Sequence, residues 1–404
     1  MSQIRVHWQK KSRGGHTGCL VLLLLFALSS TLLGCGQGRG VKQPVREQKQ
    51  SQAQQAAQVQ VVPVQSAFPH KTPGLILYNP EYAQNFYLAL EDGRKVLYLH
   101  DPASDKTFRH EIGTVKRVVC LSTTHLAFIH AIGASASVCG VSGARYIYNP
   151  RLRQCTDVGY ESSINYETLL KLAPDVVFAY SIHGKTADYI TKMEQLGLNV
   201  IQIPEHTERH PLGKAEFLVA FAAFYGLEDQ ARQQFCEIRD AYLKYKSLAT
   251  GQKKEKVLIN APFNDIWYLP GSESHQNIFI GDAGGVLLGT CPGVNSSTIS
   301  TEQAYLYALE ADVWLNPNHY TQLAELENLD NRFARVPCFR DGNVWNNNLR
   351  STPEGGSDYY ESGAISPHLI LADLIAILHP SLLPSHTFTY YRQLSRSQAA
   401  PQHP

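Results

Sequence analysis

Residues 117–133 read RVVCLSTTHLAFIHAIG, and this stretch decides the fold. Its beginning, RVVCLS, is apolar and β-branched, which predicts a buried strand. Its end, LAFIHAIG, spaces its apolar residues as a helix does. Four polar residues, Ser122 to His125, join the two parts, and a hydroxyl at such a junction commonly caps a helix. The stretch therefore predicts a strand that passes directly into a helix, with polar side chains at the strand's carboxyl end.

The same alternation of apolar strands and helices continues on both sides of a long helical region. DVVFAY (175–180) and NVIQIP (199–204) predict buried strands before that region, and KVLINAPF (256–263) and ADVWLNP (311–317) predict strands after it. Between them, apolar spacings of three and four predict one helix from Glu228 to about Ser247, roughly 30 Å long. Apolar strands separated by helices favour parallel sheets. We therefore predict an α/β fold of two Rossmann-like parallel-sheet lobes joined by one long α-helix.

Two segments suggest that the lobes share one design. YETLLKLAPDVVFAY (166–180) and EQAYLYALEADVWLNP (302–317) both contain an early acidic residue, a helix, a turn and a buried strand. Ahead of the lobes, NFYLALEDGRKVLYLHD (85–101) places Asp92-Gly93 between two apolar runs, which predicts a small N-terminal β-hairpin.

The N-terminus predicts export and lipidation. A basic segment precedes the apolar run Cys19 to Leu33, as in a secretory signal sequence. Leu32-Leu33-Gly34-Cys35 resembles a bacterial lipobox, so Cys35 is the predicted lipidation site and membrane anchor. Along the chain we expect a lipoprotein signal peptide (1–34), a disordered tether (35–73), a β-hairpin extension (74–112), an N-terminal lobe (113–213), a helical region with the inter-lobe helix (214–249), a C-terminal lobe (250–392) and a disordered tail (393–404).

Composition and motifs narrow the function. The 404 residues carry a net charge of +1 and are 44% hydrophobic, which gives no reason to expect a nucleic-acid partner. The sequence contains no GxSxG, HExxH, P-loop or strand-linked GxGxxG motif, so no catalytic residue is predicted. Six cysteines lie outside the signal and lipidation sites, and their 15 possible pairings stay open. Cys120 and Cys236 lie in apolar periodic segments, which favours small buried hydrophobes there.

Polar and aromatic residues cluster just after the predicted strands. Ligands of open parallel α/β sheets bind beyond the carboxyl ends of the strands, so two opposed lobes would form one lined cleft. Each residue also has a local interpretation, such as capping or core packing. The candidate lining residues are Thr124, His125, Tyr180, His183, Trp267, Tyr268, Asn348, Arg350, Asp358 and Tyr359.

Several stretches together resemble the periplasmic substrate-binding lipoproteins of iron-siderophore, haem and vitamin B12 ABC importers. They are RVVCLSTTHLAFIHAIG, VCGVSGARYIYNP (138–150), VGYESSINYETLLKLAPDVVFAY (158–180), EADVWLNP (310–317) and ESGAISPHLILADLIAILHP (361–380). The resemblance covers roughly residues 117–392. It implies two lobes joined by one rigid helix, limited closure, a largely pre-formed cleft and no catalysis.

The resemblance also implies how the protein meets its permease. In this class an acidic residue on the outer surface of each lobe contacts permease arginines. The pattern N-L-E-x-I-x-x-L-x-P-D falls on residues 165–175 and S-x-E-Q on residues 300–303. Glu167 and Glu302 are therefore the expected docking residues, although a glutamate in the first turn of a helix also favours the helix dipole.

The resemblance leaves the ligand open. The vitamin B12-binding member uses aromatic residues where this chain has Tyr160 and Tyr180. Haem-binding members hold the iron through an axial His or Tyr, and in this chain His125, His183 or Tyr180 would supply that ligand. We expect an iron chelate, a ferric siderophore, with haem or cobalamin as the alternative and no cofactor of the protein's own. The expected partners are an ABC permease and its ATPase. We expect the protein to be a monomer, anchored by its lipid to the periplasmic face of a bacterial membrane.

Two other classes of function stay open. A cofactor-bearing enzyme on the same bilobal fold would need cysteines at the lobe interface, where Cys120 is the one strand-end candidate. A haem scavenger without a permease partner would not need the docking glutamates.

Overall fold

The computed structural model describes residues 74–160, 163–181, 188–264 and 266–396, all within a unit that runs from Pro63 to Pro404. Its first part is an antiparallel sheet of β1 (Leu75–Tyr78), β2 (Phe86–Glu91), β3 (Arg94–Asp101) and β4 (Lys106–Glu111), in that order. Asp92 and Gly93 have φ values of 48° and 78°, as the tightest hairpin turns require. The predicted hairpin is confirmed as β2–β3, and the structure adds a strand on each side of it.

The N-terminal lobe is built on a parallel sheet. Its order is β7-β6-β5-β8-β9, and every pairing in it is parallel. The central strand is the VVC of the opening stretch, which is fully buried because helices cover both faces of the sheet. The elements are β5 (Val118–Cys120), α1 (Thr123–Ala131), β6 (Val138–Val141), β7 (Thr156–Asp157), α2 (Tyr166–Leu172), β8 (Val176–Ala179), α3 (Asp188–Gln195) and β9 (Val200–Gln202).

Two helices then lead out of this lobe. They are α4 (Pro211–Ala223) and α5 (Glu228–Ala249). The second confirms the predicted inter-lobe helix, and it buries Ala231, Phe235, Ile238 and Tyr242 at the spacings read from the sequence. Among the helices of the described residues, none is both long enough and apolar enough to span a membrane.

The C-terminal lobe repeats the parallel design. Its sheet order is β12-β10-β14-β15-β16, with β16 antiparallel at the edge. A separate antiparallel pair joins β11 and β13. The elements are β10 (Glu255–Ile259), β11 (Trp267–Leu269), α6 (His275–Asp282), β12 (Gly285–Leu287), β13 (Ser297–Ile299), α7 (Thr301–Glu310), β14 (Val313–Leu315), α8 (Leu323–Leu329), α9 (Pro337–Arg340), β15 (Val344–Asn346), α10 (Pro367–Leu378) and β16 (Arg392–Gln393).

Corresponding aspartates hold the same position in the two lobes. Asp175 precedes β8, and its Oδ2 accepts backbone N–H bonds from Lys116 and Arg117 at 2.7 and 2.9 Å. Asp312 precedes β14, and its Oδ2 accepts the backbone N–H of Lys256 at 2.8 Å. In each lobe the aspartate thus fastens a helix-to-strand turn to the start of the neighbouring strand. The similar design suggested by the two sequence segments is present in the structure.

Two boundaries differ from the sequence expectation. The helical region begins at Pro211, because Pro211 occupies the first turn of α4 and His210 caps it. The C-terminal lobe extends beyond residue 392, since β16 pairs with β15 and Ser395 bridges to Gln322. The signal peptide, the tether and Cys35 lie outside the described residues. The six described cysteines are free thiols.

Two buried carboxylates fasten the N-terminal sheet to the N-terminal lobe. Glu208 accepts the backbone N–H groups of Gln84 and Asn85, each at 2.9 Å to Oε1. Glu216, on α4, accepts the backbone N–H groups of residues 81–83 and the hydroxyl of Tyr78. Burial raises the pKa of Glu208 to about 8, and the charge of Glu216 adds to the shift while the N–H donors oppose it.

The raised pKa of Glu208 sets a pH dependence of stability. A carboxyl whose pKa is higher in the folded state contributes stability fully below its unfolded pKa, and loses it as pH rises through about 8. Between about pH 4.5 and 8 we expect the free energy of unfolding to fall by about 1.4 kcal/mol per pH unit from this group. Urea unfolding of wild type and Glu208→Gln, followed by circular dichroism at pH 5, 6.5 and 8, measures it.

The Glu208→Gln curve should be flatter across that window. Glu111→Gln is the matched control, because the Glu111 carboxylate is exposed and, among the described residues, bonds to Arg94 alone at 2.8 Å. Parallel curves for wild type and Glu208→Gln would show that Glu208 ionises normally in the folded state.

Candidate functional site: the inter-lobe cleft

The end of β5 meets the C-terminal lobe. Ser122 caps α1, and its Oγ accepts the backbone N–H of Thr124 at 3.2 Å. The Thr124 hydroxyl then donates to the backbone carbonyl of Tyr360 at 2.8 Å. The polar junction of the opening stretch therefore both caps a helix and contacts the opposite lobe.

The C-terminal-lobe segment 350–361, the cleft strap, crosses to the N-terminal lobe. The buried Glu361 carboxylate accepts the backbone N–H groups of Tyr148 and Asn149 at 2.7 and 3.0 Å. The Thr352 hydroxyl donates to the carbonyl of Arg145 at 3.2 Å. These bonds fix the loop that follows β6 against the strap, and they close one side of the cleft.

Backbone packing and a cation reinforce the strap. A Cβ on Gly356 would lie 1.9 Å from the Tyr146 carbonyl oxygen, so only glycine allows this close approach. The guanidinium of Arg350 lies 5.1 Å from the ring centroid of Tyr148, and its Nε is 2.9 Å from Asp358 Oδ2. Arg350 and Asp358, both predicted to line a site, thus act together in holding the strap.

Asparagine side chains join the carboxyl ends of β10, β14 and β15. Asn318 Nδ2 donates to the carbonyls of Ala261 and Pro262, at 3.1 and 3.0 Å. Asn346 Nδ2 donates to the carbonyl of Tyr320 at 2.7 Å, and the predicted lining residue Asn348 donates to the same carbonyl at 3.1 Å. The amides therefore fix the shape of this wall, as a pre-formed site requires.

Exposed tyrosines stand at the rim of both lobes. Tyr160 is 49% exposed, and its ring centroid is 6.4 Å from that of Tyr146. Both rings line a depression of about 600 Å³ after β6 and β7, together with Arg145. On the other lobe Tyr268 is 41% exposed. Both predicted tyrosines, Tyr160 and Tyr268, present ring surface that a ligand can cover.

His125 does not face the cleft, contrary to the sequence expectation. Its side chain is 0% exposed, and Nε2 lies 3.1 Å from Oε2 of the buried Glu205. The ring packs beside Phe221 and Tyr180. A histidine so enclosed has no open side for an axial bond to haem iron. The first turn of α1 rotates it into the core, where Glu205 supplies its partner.

Inside the lobe, His125 Nε2 and Glu205 Oε2 lie within hydrogen-bond distance, 3.1 Å apart. Burial alone would raise the pKa of Glu205, but the charge and hydrogen bond of His125, with His206 adding, hold that pKa below its usual range. His206 is half-buried, its Nε2 is 3.1 Å from the Ser181 carbonyl oxygen, and its ring lies 6.3 Å from that of Tyr180. The predicted residue Tyr180 is therefore half-buried behind these groups, whereas His183 lies outside the described residues.

Trp267 is a core residue, which corrects its placement as a lining residue, and Tyr359 is largely buried. Trp267 is 0% exposed, donates Nε1–H to the Ile259 carbonyl at 2.9 Å and stacks on Trp314. Tyr359 is buried beside Tyr390, and burial raises its pKa above the usual range. Alternation along β11 sends Trp267 inward and Tyr268 outward.

A second cavity lies beside the N-terminal sheet. It has a volume of about 360 Å³ and lies between the β3–β4 hairpin and the carboxyl end of β9. Lys106, Phe108 and Asp101 line it from the hairpin, and Gln202 and His206 line it from the lobe. The sequence did not indicate this cavity, because it depends on how the sheet docks onto the lobe.

The sequence did not indicate the contacts of Tyr146, Tyr148 and Glu361. It also did not indicate that Lys214 lies where the lobes meet. Lys214 is the single cation in the otherwise apolar or acidic helix PLGKAEFLVAFAA. A lone basic residue in an apolar helix is the sequence feature by which Lys214 could have been singled out. In the described ranges, no group of three His, Cys, Asp or Glu side chains is placed to hold a metal ion.

The two expected docking glutamates occupy equivalent positions. Glu167 is the second residue of α2 and Glu302 the second of α7, after the N-caps Asn165 and Ser300. Their side chains are 78% and 73% exposed. Their nearest basic groups are Lys171 at 2.7 Å and Arg332 at 3.8 Å.

Two parallel-sheet lobes, a single long helix between them and a cleft at the strand ends define a bilobal binding protein. A family model described as "Periplasmic binding protein" matches residues 118–334. This match covers more than half of the chain, and the protein belongs to that family. The resemblance seen in the sequence is confirmed at this level.

Curated relatives include two uncharacterized lipoproteins of Methanocaldococcus jannaschii. One is 27% identical over 281 residues, which are 65% of this chain and 65% of the relative. The other is 23% identical over 250 residues, 58% of this chain and 61% of the relative. The chain thus spans less than two thirds of the length of these relatives.

Solved structures share the fold at low identity. A periplasmic haem-binding protein of Pseudomonas aeruginosa is 18% identical, with a TM-score of 0.55 over 70% of this chain and 100% of that one. The vitamin B12-binding protein of Vibrio cholerae is 15% identical, with a TM-score of 0.51 over 67% and 98%. A molybdate-binding protein of Haemophilus influenzae is 17% identical, with a TM-score of 0.53 over 71% and 92%. These likenesses establish the fold alone.

Proposed function

We propose that the protein is the lipid-anchored substrate-binding component of an ABC importer for an iron chelate, a ferric siderophore. The chelate binds between the lobes, and the loaded protein delivers it to a permease driven by an ATPase. The observation that carries this proposal is the inter-lobe cleft, with tyrosines exposed at its rim and a wall fixed by asparagine amides. Haem or cobalamin is the alternative within the same class, in keeping with the haem- and B12-binding proteins that share the fold.

Three further features support an exported, tethered binding protein. The curated relatives are named as lipoproteins, and Cys35 follows a lipobox-like segment. Glu167 and Glu302 stand exposed on separate lobes, where a permease could contact both. The fold needs no cofactor to hold its shape in this proposal, and it acts as a monomer that binds without catalysis.

A panel titration tests the proposal. The mature chain without lipid is titrated with haemin, cyanocobalamin and ferric catecholate, hydroxamate and carboxylate siderophores, by absorbance and calorimetry. We expect one of these chelates to bind with a dissociation constant of about 1 μM or tighter. Absence of binding to every chelate would contradict the proposal.

Rim variants locate the site. Tyr160→Ala and Tyr268→Ala should each weaken binding of the chelate identified by the panel by about tenfold, because each removes an aromatic surface that the ligand covers. Phe108→Ala is the matched control, since Phe108 is 41% exposed but lines the second cavity. A loss confined to Phe108→Ala would place the ligand in the second cavity instead.

A further inference from the structure

Lys214 lies where the two lobes meet. It belongs to α4, which packs against α1 of the N-terminal lobe and against α6 and α10 of the C-terminal lobe. Every other residue of α4 is buried, whereas Lys214 keeps part of its side chain exposed. The helix thus presents one basic group at the junction.

Lys214 lines a small cavity at the junction of the lobes. The cavity has a volume of about 30 Å³, and His275, Phe279, Tyr359 and Tyr360 are among the other residues that line it. It has room for a group the size of one or two water molecules. A carboxylate or phenolate oxygen fits this space, while the body of a chelate must stay outside it.

Among the described residues, the Lys214 ammonium has no hydrogen-bond acceptor and no carboxylate within ion-pair distance. The carboxylate that influences it is Glu205, which already pairs with His125 at 3.1 Å. Burial lowers the pKa of Lys214, and Glu205 opposes the shift. Because Lys214 is half-buried and its ammonium has no acceptor among the described residues, an incoming anion gains a charge-assisted bond there.

The other basic groups near the cleft are already engaged or neutral. Arg350 pairs with Asp358 at 2.9 Å, and Arg145 is exposed with its guanidinium 4.8 Å from the Tyr146 ring centroid. Burial, followed by the charge of Lys214, lowers the pKa of His275 to about 4, so His275 is neutral at pH 7. Among the described residues, Lys214 is therefore a basic group at the lobe junction that lacks a counter-charge.

We propose that Lys214 anchors an acidic group of the ligand, so that the cleft selects chelates bearing a free carboxylate or phenolate over neutral chelates. This inference rests on the proposed function and specifies its substrate class. The anionic group enters the small cavity beside Tyr360, and the chelate body covers the tyrosine rim above.

Four probes and two variants test the inference. Haemin and ferric citrate carry free negative charge, whereas cyanocobalamin and ferrichrome are neutral overall. Wild type should bind at least one anionic probe more tightly than both neutral probes. Lys214→Met should weaken that binding by about 10- to 100-fold, because it removes a charge-assisted bond. Lys214→Arg, which keeps the charge, should weaken that binding less than Lys214→Met does.

The outcomes separate the two proposals. If wild type prefers a neutral probe, or if Lys214→Met binds the anionic probe as wild type does, the anchor is wrong while the binding function stands. If wild type binds none of the four probes or the wider siderophore panel, both fall together. Thermal unfolding of each variant shows whether a loss of binding reflects a loss of fold.

Discussion

Replacing Glu167 and Glu302 together by arginine is expected to reduce chelate uptake by intact cells at least tenfold while leaving the affinity for the chelate unchanged. Each glutamate stands in the first turn of its own helix, with a side chain more than 70% exposed. An arginine at either position would face the basic permease surface that we propose, and like charges at an interface oppose docking. Single variants should show intermediate losses, since each lobe contributes one contact.

Two measurements make this result specific. Titration of the purified double variant should give the wild-type dissociation constant, because neither glutamate contacts the cleft. Glu310→Arg is the control, since it reverses an exposed charge at the opposite end of α7 that pairs only with Lys256 at 2.9 Å. Unchanged uptake by the double variant would contradict permease docking at these residues and would favour a scavenger that works without a permease.

Glu216→Ala should lower the free energy of unfolding by about 3–5 kcal/mol, because it removes the single acceptor of four buried or half-buried donors. The backbone N–H groups of Glu81, Tyr82 and Ala83 lie 2.7 to 2.8 Å from its carboxylate, and the Tyr78 hydroxyl lies 2.6 Å away. The N-terminal sheet should then detach before the lobes unfold.

Urea unfolding measured by circular dichroism gives the stability, and limited proteolysis shows whether the sheet is released first. Glu111→Ala, an exposed carboxylate on β4, should change stability by less than about 0.5 kcal/mol. A Glu216→Ala protein with wild-type stability would mean that the sheet is held by its apolar contacts alone.

Periodicity was enough to predict the architecture. Buried strands such as VVC and VVFA contain β-branched residues and alternate with helices along the chain. Few architectures other than a parallel sheet covered by helices accommodate this pattern. The repeated segments around Asp175 and Asp312 indicated lobes of similar design, and both aspartates brace the same turn. The inter-lobe helix followed from its apolar spacing.

The candidate site was predicted less well, because a position after a strand does not determine where a side chain points. His125 follows a strand as expected, yet it lies in the core beside its partner Glu205. Trp267 begins a strand as expected, yet it is buried against the stacked ring of Trp314. The strap contacts of Glu361 join residues more than 200 positions apart in sequence. Such contacts depend on how the lobes pack, which no local pattern encodes.

The central claim is that a metal chelate binds between the lobes, and hydrogen–deuterium exchange of the mature chain with and without the tightest-binding chelate of the panel tests it most directly. We expect simultaneous protection of backbone amides in residues 142–149 of the N-terminal lobe and 346–361 of the C-terminal lobe, because the ligand contacts both walls. Protection confined to one lobe, or to the β3–β4 hairpin beside the second cavity, would contradict the account.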